Sequence, residues 1–412
     1  MNNYNITKLA NGIRIASERI EHVNSFSLGF WFNVGSRDET KDTNGISHLI
    51  EHMFFKGTKK RNARMISNEI ESLGGYLNAF TSKEHTCFYG RGITRHIEKT
   101  FEVLSDMIQN SLFAPKELEK ESKVVIDELY DIEDSPEELI FDKFETNLYR
   151  GNSLSLPIIG TEENVSKFTQ EDLFNYIKKH YSIKNLYIIA SGNVDQDKLI
   201  LLAEKYLNNL ELGNGKKRKY FNKKKTNNLF VPKDINQAHL IIGGSTFGYK
   251  YKERAVANLI TNILGEGSSS RLFQSLRERN GIAYQINSFM NSFYDTSSFG
   301  IYFSTNESSL KKAKKIVERE FDKFREKGVS EKELKSAKEY IKGHVQMSLE
   351  STSNRMMRMG NSLLYFNKIK TVEESMFEIE SVSKEDILNF SQNLLDPQNL
   401  STVLISSKNL II

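Results

Sequence analysis

Apolar positions along this chain change period several times, and each change marks an element. Residues 4–19 read as two short strands around the turn Asn11-Gly12, a hairpin signal. Residues 24–34, NSFSLGFWFNV, alternate and are rich in aromatics, as a half-buried strand is. A helical period follows at 43–55, with Asn44 or Thr43 as the expected N-cap, and again at 63–73, where Gly74-Gly75 closes it. YLNAFTSKEHTCFYGRGI, at 76–93, reads as two more strands. Residues 94–110 carry Ile97, Phe101, Leu104 and Ile108 at helical spacing. A long helix is predicted over 115–131, with Val124, Val125 and Leu129 as its apolar face, and further helices over 136–149, 170–181 and 196–208. NLYIIASGN, at 185–193, has the unbroken apolar run of a buried strand.

The pattern breaks at 211–228, ELGNGKKRKYFNKKKTNN, which is basic, polar and nearly devoid of apolar residues. It reads as a solvated linker rather than an anion site. Beyond it the pattern begins again. The strand AHLIIGGSTFGY at 238–249 parallels FSLGFWFNVGSR at 26–37, and NLITNIL at 258–264 parallels HLIEHMF at 48–54. KELKSAKEYIKGH parallels KELEKESKVVIDE further on. Two homologous α+β domains are therefore expected, each an antiparallel-rich β-sheet with helices packed on it: 1–210 and 229–412, with 211–228 between them.

Composition narrows the function classes. Apolar residues make up 38% and charged residues 27% of 412, as in globular proteins, and the formal net charge of +4 gives no case for nucleic-acid binding. No apolar run approaches the length needed to span a bilayer, so no membrane partner is expected. The first twenty residues lack the apolar core of a signal peptide. The single cysteine, Cys87, excludes an intrachain disulfide framework, and a reducing, cytoplasmic location is expected.

Chemistry concentrates in GISHLIEHMFFKGT, residues 44–57, where His48, Glu51 and His52 spell H-x-x-E-H. Four residues apart on a helix, two imidazoles project from one face and can share one zinc ion. Glu51, on the edge of that face, can take a proton from a water at the metal. A catalytic zinc has three protein ligands as a rule, and Glu128, on the long helix, is the candidate third. Glu121, two turns earlier on nearly the same face, is a candidate to orient a ligand or the substrate.

These residues resemble the pitrilysin family of inverzincin metallopeptidases, which includes insulysin and the mitochondrial processing peptidase. The resemblance rests on H-x-x-E-H, on Glu128 standing 76 residues past His52, on the flanking NVGSRDE and FFKGT, and on SSSRLFQSLRERNGIAY at 268–284. It covers essentially the whole chain. It implies a zinc endopeptidase with His48, His52 and Glu128 as ligands and Glu51 as general base. It also implies that an extended peptide pairs with the strand at Asn78-Ala79. Arg277 and Tyr284, from the second half, are implied to reach that substrate, with Tyr284 supporting the developing oxyanion. In the second half Asn258, Thr261 and Asn262 stand where the first half has its two histidines and base, and His344 where it has Glu128. One zinc per chain is the expectation.

The other histidines, His22, His85, His96, His180, His239 and His344, have no partner at ligand spacing and read as structural or exposed. Cys87 reads as a buried small apolar residue. The acidic run DIEDSPEEL at 131–139 reads as a helix start after Ser135-Pro136, or as a preference for basic residues in a substrate. Short members of the family work as paired subunits around a chamber. A homodimer is expected for this chain, with a heterodimer with an inactive paralogue as the other arrangement. Two further readings are a structural core subunit without activity and a protein that only sequesters peptides.

Overall fold

The computed structural model describes residues 4–207, 210, 218–223 and 227–411. The strands in chain order are β1 (Tyr4–Lys8), β2 (Arg14–Arg19), β3 (Ser25–Phe32), β4 (Tyr76–Thr81), β5 (Thr86–Ile93), β6 (Leu186–Gly192), β7 (Leu229–Pro232), β8 (Ala238–Phe247), β9 (Ile286–Ser292), β10 (Thr296–Thr305) and β11 (Ser401–Ser406). The helices of the first half are α1 (Ile46–Phe54), α2 (Ala63–Glu71), α3 (Ile97–Asn110), α4 (Pro115–Asp134), α5 (Pro136–Leu148), α6 (Glu162–Val165), α7 (Gln170–His180) and α8 (Gln196–Tyr206). Those of the second are α9 (Arg254–Gly265), α10 (Glu307–Lys327), α11 (Glu331–Ser348), α12 (Thr352–Phe366), α13 (Val372–Ser381) and α14 (Lys384–Leu394). The fold is mixed α and β, built on two sheets with helices packed on each, as the two periods of the sequence predict. Among the described residues no helix is long and apolar enough to cross a membrane.

The first sheet has the order β1-β2-β6-β3-β5-β4, and the second β7-β11-β8-β10-β9. Leaving out β1, the two orders correspond strand for strand. In each, one parallel pair (β2 with β6, β7 with β11) is followed by antiparallel neighbours. The correspondence places β3 against β8, as the sequence repeat does.

The chain divides into two compact units, residues 1–131, 156–219 and 348–370, and residues 132–155, 220–347 and 371–412. Each unit thus takes a segment from the other half of the chain. In the first, α12 lies on the sheet and packs Met356, Met359 and Leu363 against Ala16, Trp31, Cys87, Tyr187 and Ile189. In the second, α5 packs Ile140 and Phe144 against Ile241, Tyr302, Val403 and Ile405. Alternate residues of β3 face opposite sides, as strand geometry requires. Trp31 meets α12, while Phe30 stacks edge-on against Phe101 of α3 at 5.0 Å.

Three expectations need correcting. The N-cap of α1 is Gly45, in a left-handed conformation with φ +98°, not Asn44 or Thr43. A Cβ there would come within 2.8 Å of Gly160, so only glycine fits. Asn44 instead donates to Glu39 and to the Pro157 carbonyl. On α4 the buried stripe is Leu118, Glu121, Ser122 and Val125, whereas Val124 is exposed. Finally, the segment read as a solvated linker is only partly so. Its residues 211–217 and 224–226 lie outside the described residues. Arg218 is mostly buried, donating to both carboxylate oxygens of Asp38 at 2.8–2.9 Å and to the Glu84 carbonyl. Phe221 stacks on Tyr149 at 5.0 Å. A guanidinium with a bidentate carboxylate partner can leave water where a lysine run cannot.

Candidate metal centre

α1 is amphipathic, and its apolar side fixes where its polar side points. Leu49, Ile50, Met53 and Phe54 are buried, with Phe54 edge-on to Phe88 at 4.9 Å and to Phe113 at 5.4 Å. His48, Glu51 and His52 are left on the half-buried face. The His48 and His52 rings stand 4.7 Å apart at 74°. α4 supplies Glu128, which lies three residues past the buried Val125 and is itself exposed. Glu128 Oε2 lies 3.9 Å from His48 Nε2 and 3.8 Å from His52 Nε2.

One ligand atom from each of His48, His52 and Glu128 falls within 4.8 Å of the other two, and no other cluster of this kind occurs among the described residues. Ligands about 2.0–2.2 Å from a tetrahedral centre stand roughly 3.3–3.6 Å apart. Glu128 therefore needs to close on each histidine by only a few tenths of an ångström to share a zinc ion with it, and two imidazoles with one carboxylate are a zinc donor set. Burial, then the neighbouring His52, pushes His48 down to about 4, so its imidazole is neutral and able to donate a lone pair at ordinary pH.

The surroundings orient this set unevenly. Glu121, buried on α4, sets Oε2 3.3 Å from His52 Nδ1, and its Oε1 accepts from Lys56 Nζ at 2.7 Å. A carboxylate behind a ligating histidine fixes its tautomer and ring plane. His48 Nδ1 is buried and has no hydrogen-bond partner among the described residues. Thr81, at the end of β4, donates its hydroxyl to Glu51 Oε2 at 2.5 Å. The Glu51 carboxyl is raised by burial, although Thr81 and His52 oppose the shift. Burial, with Glu51 nearby, also holds the Cys87 thiol well above its usual range, in keeping with an inert core residue.

Asn78 and Ala79 lie on β4, at the edge of the first sheet, where Asn78 Oδ1 accepts from the Ala79 N–H at 2.8 Å. Arg277 and Tyr284 belong to the second unit. There Arg277 donates to the Tyr284 carbonyl at 3.2 Å, and its guanidinium lies 4.5 Å from the centre of the Tyr284 ring. Tyr284 is 76% exposed. In α9, Thr261 donates to the Ala257 carbonyl and Asn262 to Glu266. His239 Nδ1 meets the Tyr302 hydroxyl at 2.9 Å, a structural role.

Sequence reading missed Thr81 and Lys56. Lys56 sits in FFKGT, a stretch that carries the resemblance, and Thr81 two residues past Ala79, yet neither residue type signals its role without the fold that brings it to Glu121 or Glu51.

Comparison with known proteins places the chain in a family. Residues 14–162 match the profile of the insulinase family, peptidase family M16, and residues 167–341 match its "Peptidase M16 inactive domain". An uncharacterized zinc protease of Rickettsia felis is 36% identical over 98% of this chain and 97% of its own. The uncharacterized zinc protease YmxG of Bacillus subtilis is 35% identical over 96% of each. Among solved structures, a protease from Helicobacter pylori superposes with a TM-score of 0.91 at 22% identity, covering 98% of this chain and 100% of that one. A peptidase M16 inactive domain from Pseudomonas fluorescens gives 0.93 at 18% identity, covering 100% and 99%. This chain belongs to the insulinase (pitrilysin) family of peptidases, family M16, of the short bacterial type and with zinc as its cofactor.

Proposed function

We propose that this chain is a zinc endopeptidase that hydrolyses peptides or unfolded polypeptides held as extended strands. One observation carries the reading: His48, His52 and Glu128 converge on one point while Glu51, on the same turn of helix, is half-buried and gripped by Thr81. When bound by those three residues, zinc supplies Lewis-acid polarisation of the scissile carbonyl and of the attacking water. Glu51 accepts the proton of that water and returns it to the leaving amine. Burial raises the proton affinity of Glu51, which makes it a better base than an exposed carboxylate. Thr81 occupies one carboxylate oxygen and leaves the other for the transfer.

The edge position of β4 supports β-augmentation by the substrate. An incoming strand displaces the Asn78 side chain from the Ala79 N–H and takes that donor itself. Arg277 and Tyr284 are assigned to the substrate on the family resemblance, and the cation–π contact between them holds the pair in one orientation. Two copies assemble as a homodimer in this reading, because one chain type carries both the metal set and the Arg/Tyr pair. A non-catalytic subunit would have no need of an intact base beside an intact ligand set.

The test is Glu51→Gln. The variant is expected to bind zinc as the wild type does and to cut none of the members of a peptide library, with cut sites read by mass spectrometry. Cleavage at the wild-type rate by the zinc-loaded variant refutes the role given to Glu51.

A further inference from the structure

His52 has Glu121 to hold its ring, whereas His48 Nδ1 has no hydrogen-bond partner among the described residues. No hydrogen bond at that nitrogen holds the His48 ring, which leaves its packing against the His52 ring and the first turn of α1 that carries it as its supports. That turn is held from outside the helix. Glu39, six residues before Gly45 and buried to 4% exposure, accepts from Gly45 N and Asn44 Nδ2 with Oε2, and from Ser47 N with Oε1, each at 2.9 Å. The first N–H groups of a helix have no partner within it, and a negative charge there complements the helix dipole. The cap residue here is glycine, with no side chain to do this work. Asn44 is tied in turn to the Pro157 carbonyl at 2.8 Å, and the Ser47 hydroxyl to the Tyr176 hydroxyl at 3.0 Å.

We propose that Glu39 is a positioning residue of the metal centre: its carboxylate fixes the first turn of α1 and, through Ser47, the direction of the His48 imidazole. The inference rests on the reading of His48, His52 and Glu128 as zinc ligands. Both oxygens are engaged, Oε2 by Gly45 N and Asn44 Nδ2 and Oε1 by Ser47 N, so a side chain with one acceptor oxygen cannot hold both ends of this turn. Burying the carboxyl carries a cost, and burial pushes it up to about 7 despite these donors.

The experiment compares full-length wild type, Glu39→Gln and Asn44→Ala. Zinc affinity is measured by competition with a chelator, and ligand geometry by the visible absorption of the cobalt(II)-loaded protein. The far-ultraviolet circular dichroism of the metal-free protein checks folding. Glu39→Gln keeps the shape of the side chain, but its amide N–H faces a backbone donor. It is expected to fold, to bind zinc about tenfold more weakly, within the range seen for residues that orient metal ligands, and to alter the cobalt band. Asn44→Ala leaves Glu39 its two backbone donors and is expected to move both readouts the same way by less. A folded Glu39→Gln with wild-type affinity and an unchanged cobalt spectrum overturns the proposal. If Glu39→Gln does not fold, unchanged affinity and spectrum in Asn44→Ala overturn it. Wild type that binds no zinc refutes the ligand assignment instead, and so separates that failure from this one.

Discussion

A carboxylate oxygen 3.3 Å from an imidazole nitrogen governs how His52 can meet a metal ion. Glu121 is nearly fully buried, and Lys56 grips its second oxygen, so the carboxylate has little freedom to turn away. Glu121→Gln keeps the volume and loses the charge. It is expected to weaken zinc binding by about 10–100-fold with little change in the unfolding midpoint of the metal-free protein. Chelator competition and urea unfolding on one sample would check both halves of that statement. The proposed ligand set is legible in the sequence: the histidines by their four-residue spacing on a helix, and Glu128 by its place in the family resemblance. Thr81 stands 30 residues from Glu51, and Glu39 lies a turn and a loop ahead of the residues it caps. Their roles exist only once the fold closes, and neither threonine nor glutamate advertises such a role by type.

At the scale of elements, periodicity locates nearly every strand and helix of the first half but not always the face that is buried. On α4, Val124 and Val125 are equally apolar, and only packing shows that Val125 turns inward. The contact of α12 with the first sheet is a second case. Gly360 lies mid-helix, where glycine costs about 1 kcal/mol relative to alanine. The reason is Trp31: a Cβ on Gly360 would come within 2.6 Å of the indole ring. Trp31 is fully buried and has Met356 and Met359 around it, so it cannot move aside cheaply. Gly360→Ala therefore gains helix propensity and loses more to overpacking, about 1–3 kcal/mol. The expected net result is a lower urea midpoint with an unchanged slope. A midpoint at or above wild type would mean that α12 shifts on the sheet without cost.

At the scale of the whole molecule, the repeat suggests two halves that can be parted at 211–228, but the compact units cross that boundary. The face of the first sheet bearing Ala16, Trp31, Cys87, Tyr187 and Ile189 is covered by α12, from the second half of the chain. The face of the second sheet bearing Ile241, Tyr302, Val403 and Ile405 is covered by α5, from the first. No reading of periodicity reveals this, because the apolar stripe of an amphipathic helix specifies that it needs a sheet, not which of two similar sheets it gets. The consequence can be tested with fragments. Residues 1–210 expressed alone retain every proposed zinc ligand yet leave Trp31 and its neighbours uncovered, at about 1.5–3 kcal/mol for each large side chain exposed. A few such side chains are comparable to the whole stability of an ordinary domain, about 5–15 kcal/mol. Fragment 1–210 is therefore expected to aggregate or to lack a cooperative unfolding transition, and so is 211–412, which keeps α12 but lacks α5. Produced together, each fragment brings the helix that the other lacks. A soluble one-to-one complex that binds zinc is then expected on size exclusion. Cooperative unfolding of 1–210 alone, with the midpoint of the full chain, would show that α12 contributes nothing to the unit that carries the metal set.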